Sequence, residues 1–170
     1  SDEFVLWQQD SAPDPRIGNK KDVVKVLVEI ISKNGPIIVE HACRVYVKAA
    51  GYGRMGKDLR SALNKVMAAA IRASLIDEKQ DPGSRYFKDR VVRAKGSPEV
   101  VVRHRGDRAF VEVPISELAD VFDTLRREST YVSDEELYRK ILSQLGSNSG
   151  SIRLAMTRMP RTLSQIGRAH

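Results

Sequence analysis

Residues 40–66 read EHACRVYVKAAGYGRMGKDLRSALNKV, and the fold turns on how this stretch is taken. Glu40 to Ala50 has the apolar spacing of a helix that stops at Gly51. From about Asp58, a residue type that caps helix starts, to about Ala73 a second stripe recurs, formed by Leu59, Ala62, Leu63, Val66, Ala69 and Ala70. Two helices joined by a glycine-rich turn make a helix-turn-helix. Residues 135–159, EELYRKILSQLGSNSGSIRLAMTRM, look like a second copy. Arg44 precedes Gly51 by seven residues, as Arg139 precedes Gly146, and LRSALNKV (59–66) answers IRLAMTRM (152–159). A short helix pair cannot bury its apolar face alone, so the duplication predicts two small modules.

Working outward, residues 20–33 place Val23, Val24, Leu27, Ile30 and Ile31 on one helical face, and Asn34-Gly35-Pro36 ends them. Beyond the third helix, Leu75–Glu78 and Arg85–Lys88 flank the turn residues at 81–84, which reads as a strand, a turn and a strand. Three helices followed by a hairpin is the order of a winged helix. Glu99–Arg105 and Ala109–Val113, around Gly106-Asp107, predict a further strand pair. Helices follow at 116–127, 134–145 and 151–161, with Pro160 bending or ending the last. The expected architecture is α+β: a linker or tail over 1–18, a winged helix over 19–95, a strand pair and connecting helix over 96–132, and a second helix-turn-helix over 133–170.

The 170 residues carry 29 basic and 22 acidic side chains, a formal charge of +7. Four acids and no base lie in residues 1–15, whereas the stretch from Leu137 to the end holds six bases and no acid. Such a balance points to a polyanionic partner and says nothing of fold. A lone cysteine, Cys43, excludes an internal disulfide framework, so a reducing cytoplasm is expected. No window approaches the roughly 20 apolar residues of a membrane span. The start at Ser1 and the acidic, proline-bearing opening read as a piece of a longer polypeptide, with Phe4, Val5, Leu6 and Trp7 a strip docked on a neighbouring domain.

The face of the third helix opposite its apolar stripe holds Arg60, Ser61, Asn64, Lys65 and Arg72. In the second copy Arg153, Thr157, Arg158 and Arg161 are outward. Arginine and asparagine make paired contacts to base edges, and lysine, arginine and serine hold phosphates. Arg54 and Lys57 bring further charge to the turn, where a helix N-terminus favours anions. Residues 85–108 hold eight bases against three acids with Tyr86 and Phe87 among them, so Arg85 and Lys88 are expected on a phosphate-contacting wing.

Enzymatic patterns fail on particular residues. Gly51 to Lys57 matches the first seven positions of the phosphate-loop pattern GxxxxGK[ST], but Asp58 stands where a magnesium-holding hydroxyl belongs and a helix precedes the loop. Pro13-Asp14 with Asp77-Glu78-Lys79 imitates a metal-dependent nuclease set, yet Asp14 lies in the expected linker. His41 and Cys43 diverge by roughly 200° around a helix, which argues against a shared metal. No catalytic residue, metal ligand or cofactor site is expected.

The segments NGPIIV (34–39), ACRV (42–45), Gly51 and GKDLRSAL (56–63) resemble a domain of undefined function near the C-terminus of large bacterial superfamily I DNA helicases. In that family it follows the motor and a restriction-endonuclease-like nuclease segment. The resemblance implies a helicase-associated accessory module and no catalytic position. The expected partner is duplex or forked DNA, held for a motor elsewhere in the parent polypeptide. The rival expectation is a protein-interaction or dimerisation module packing on other domains of the parent, for which Ala68-Ala69-Ala70 permits close helix approach.

Overall fold

The computed structural model describes residues 3–9, 11–81, 84–128 and 133–144. It is an α+β structure with five described helices, α1 Lys20–Asn34, α2 Val39–Ala49, α3 Lys57–Arg72, α4 Ile115–Glu128 and α5 Asp134–Gln144. Three strands, β1 Ile37–Ile38, β2 Ile76–Lys79 and β3 Val91–Ala94, form an antiparallel sheet in the order β1-β3-β2. The chain divides into two compact units, one of residues 7–80 and 85–99, the other of residues 1–6, 81–84 and 100–170.

In the first unit, Asn19 accepts the Lys21 N–H through its side chain and starts α1. Gly35 ends it: a Cβ there would stand 2.5 Å from the Ile31 carbonyl and 3.0 Å from Cα of Arg93, so only glycine lets the helix end approach β3 this closely. Helix α1 packs on α2, α3 and β3. The shared core takes Leu27, Ile30 and Ile31 from α1, Ala42 and Tyr46 from α2, Leu63 and Met67 from α3, and Val92 from β3. Leu63→Ala is expected to cost about 2–5 kcal/mol, read from urea denaturation, because the packed neighbours cannot fill the space left behind. A loss below about 1 kcal/mol would contradict the packing.

The stripe of α3 departs from the expected one at two positions. Met67 is buried and Ala69 is exposed. Asp58 sits inside the first turn and Gly56 is the capping residue, so the carboxylate faces the helix dipole without a capping bond.

The hairpin differs more. Residues 85–88 form no strand: Phe87–Asp89 is a short 3-10 turn that packs on α2, and β3 begins at Val91. Burial explains the shift, since Val91 and Val92 enter the core whereas Tyr86 is 63% exposed. Register pairs Asp77 with Arg93 and Glu78 with Val92, which sets an acid of β2 directly opposite the one base of β3. Ion pairs join Arg93 to Asp77 at 3.7 Å and Arg90 to Glu78 at 2.9 Å.

The expected strand pair over 99–113 is absent from the second unit. Its backbone is satisfied by side chains instead of a ladder. Glu117, 2% exposed, accepts the Arg103 N–H at 3.0 Å and two guanidinium bonds from Arg108 at 2.7 and 3.0 Å. Arg108 in turn donates to the Arg103, His104 and Arg105 carbonyls. Phe4 lies against both guanidiniums, 5.1 Å from Arg103 and 4.7 Å from Arg108, and its N–H reaches the His104 carbonyl. Phe110–Glu112 is a 3-10 turn. Asp81 accepts the Ser116 N–H and hydroxyl at the start of α4. Helices α4 and α5 pack together on Phe110, Val113, Leu118, Val121, Phe122, Leu137, Tyr138 and Ile141.

Half of the duplication can be compared. Aligned on Arg44 and Arg139, both exposed, the pairs Ala42/Leu137, Cys43/Tyr138 and Tyr46/Ile141 are all buried. The buried faces share this stripe, whereas His41 and Val45 are buried and their counterparts Glu136 and Lys140 are exposed. The second helix of the later copy, with Arg153, Arg158 and Arg161, lies outside the described residues.

Candidate nucleic-acid interface

Every feature of the candidate site belongs to the unit of residues 7–80 and 85–99. Helix α3 turns Leu59, Leu63, Val66, Met67 and Ala70 inward, which leaves the opposite face open. Lys57, Arg60, Ser61, Asn64, Lys65 and Ala68 line one shallow depression on that face. Lys57, Ser61 and Lys65 are exposed, and neither lysine makes an ion pair among the described residues. Five of the residues expected on this face and its turn, Lys57, Arg60, Ser61, Asn64 and Lys65, therefore do come together.

Arg60 is partly engaged already. It donates twice to Oε1 of Glu40, at 3.2 and 2.8 Å, and this carboxylate raises its pKa further. Asn64 accepts a weak 3.9 Å bond from the Cys43 thiol. Cys43 is fully buried, and desolvation pushes its pKa up to about 12. Its thiol is a packing group at neutral pH.

Arg60 also borders a second hollow. Arg44, Val47, Lys48, Tyr52, Gly53, Arg54, Met55 and Arg60 line a cleft of about 610 Å³ between α2, the turn and α3. Left-handed Gly51, with φ of 93°, turns the chain sharply out of α2. Arg44 and Lys48 were not among the expected contacts. Their four-residue spacing on α2 puts them on one helical face next to the turn, a signal present in the sequence, where Arg44 was read only as a landmark of the duplication and Lys48 was passed over.

Other expected residues are not brought together. Arg72 is in the last turn of α3, about 22 Å along the axis from Lys57, and lines neither hollow. Arg85 and Lys88 are exposed but likewise line neither, because the segment carrying them turns back on α2. The Lys88 ammonium lies 5.9 Å from the Tyr86 ring. Two further bases of the hairpin, Arg90 and Arg93, are paired with acids of β2.

Asp14, the acid of the nuclease-like pattern, is occupied otherwise. Its carboxylate accepts from the Arg16 N–H at 2.9 Å, from the Arg16 guanidinium at 3.0 and 2.8 Å, and from the Tyr52 hydroxyl at 2.8 Å. These donors hold its pKa far below the usual carboxylate range. Tyr46 donates to the Pro13 carbonyl at 2.6 Å, and burial pushes its pKa up to about 12. Residues 13–16, within the stretch expected as a linker or tail, are thus fastened to α2 and the turn. Because Asp14 is depressed in the fold, its clamp contributes stability above the unfolded carboxylate pKa near 3.8 and loses it as pH falls further. Asp14→Asn should speed hydrogen exchange of the Arg16 amide at neutral pH and flatten the acid limb of the stability profile. An unchanged exchange rate would contradict the clamp.

Asp77, Glu78 and Lys79 are each ion-paired, Lys79 with Glu99 at 3.5 Å. The described residues contain no cluster of three His, Cys, Asp or Glu side chains suited to a metal. No helix among them is long and apolar enough to cross a membrane. Compared with protein-family models, with curated proteins and with solved structures, the chain matches none.

Proposed function

We propose that the chain is a DNA-binding accessory module that holds duplex or forked DNA through α3. The observation that carries this reading is the single depression shared by Lys57, Arg60, Ser61, Asn64 and Lys65. An asparagine and an arginine suited to base edges stand there between lysines suited to phosphates. The order α1-β1-α2-α3-β2-β3 with sheet order β1-β3-β2 supports a winged helix-turn-helix, in which α3 is the recognition helix. The exposed Arg85 and Lys88 precede β3 and are assigned to the wing.

The resemblance to the accessory domain of bacterial superfamily I helicases fits a cytoplasmic parent protein that acts on DNA, with this part supplying grip and no chemistry. Reversing Lys57 and Lys65 to glutamate tests the reading in a DNA-binding titration. Unchanged affinity, or no binding by the unaltered chain, would favour the protein-interaction alternative.

A further inference from the structure

The cleft beside α3 has a chemistry different from that of the helix face. Its rim carries Arg44, Lys48 and Arg54, for which no ion pair is found among the described residues, together with Glu40-paired Arg60. Val47 and Met55 bring apolar surface, and Tyr52 brings a ring backed by the Arg16 guanidinium at 5.4 Å. A duplex offers its bases stacked and paired, and only its phosphates reach such a recess. An unpaired nucleotide offers both a phosphate for the arginines and a free base face for the aromatic and apolar lining.

Building on the DNA reading of α3, we propose that this cleft receives an unpaired nucleotide, so that the module binds at the junction of single-stranded and duplex DNA. Arg60 borders both hollows, which makes a duplex on α3 and its departing strand in the cleft contiguous. Lys48 and Arg44 hold the strand's phosphates from the α2 side and Arg54 from the turn. The Asp14–Arg16 clamp keeps Tyr52 in place.

The test is fluorescence anisotropy with the full chain on a blunt duplex and on the same duplex bearing a 5′ or 3′ thymidine extension. At least one extension should tighten binding about tenfold, the size expected for stacking one base. Arg44→Ala combined with Lys48→Ala should erase that preference and weaken blunt-duplex binding less than about threefold. Equal affinity of the unaltered chain for blunt and extended DNA overturns the cleft proposal and leaves the α3 reading standing. So does a variant that keeps the preference. Failure to bind either DNA removes the α3 reading and the cleft with it.

Discussion

Exchanging Lys57 and Lys65 together for glutamate is expected to weaken DNA binding about a hundredfold at moderate salt, roughly tenfold or 1.4 kcal/mol per side chain. Both side chains are exposed on the open face of α3, so the fold should tolerate the change and the circular dichroism spectrum should be unaltered. Loss of two phosphate contacts should also lower the slope of log affinity against log salt by about two. Arg60 is the poorer choice for reversal. A glutamate there would face Glu40, whose carboxylate now lies 2.8 Å from the guanidinium, and repulsion between α2 and α3 would be confused with lost DNA contact.

Glu117→Ala is expected to destabilise the second unit by about 3–5 kcal/mol, the range for breaking a buried ion pair by removing one partner. Arg108 is 1% exposed and would keep a charge with no carboxylate beside it, while the Arg103 N–H would lose its acceptor. Burial already lowers the pKa of Arg103, and Glu117 is the main force opposing that shift. The effect should be read as lost hydrogen-exchange protection in α4 and α5. Replacing both members with apolar residues, Glu117→Leu with Arg108→Met, should cost less than Glu117→Ala, because no charge is then stranded. A Glu117→Ala variant within about 0.5 kcal/mol of the parent would show that Glu117 does not organise residues 100–113.

The helices were legible in the sequence because their apolar positions recur at helical spacing, and α1 to α5 fall within a residue or two of the expected bounds. Strands were read less well. Tyr86 and Phe87 have side chains that suit a strand, but burial of Val91 and Val92 decides which residues pair with β2. Over 99–113 no pattern signals that Glu117, several residues downstream, will take up the backbone N–H of Arg103. Long-range side-chain partners of that kind are invisible to local periodicity. Glu40 illustrates the same limit within the site, since nothing local announces that it holds Arg60 across two helices.

The outward face of α3 was legible for the same reason as its core stripe. Lys57, Arg60, Asn64 and Lys65 share a helical face and do line one hollow. Arg72 shares that face but stands at the far end of α3, and Arg85 and Lys88 were placed on a wing strand where the chain forms none. Conversely, Arg44 and Lys48 join the site through the turn that brings α2 beside the start of α3.

The most direct measurement is the affinity of the chain for duplex DNA as salt is raised. With about six phosphates engaged, raising salt from roughly 50 to roughly 200 mM should weaken binding about a thousandfold through the return of condensed counterions. An affinity that does not change over this range, or no association at the lower salt, would contradict a phosphate-binding face on α3.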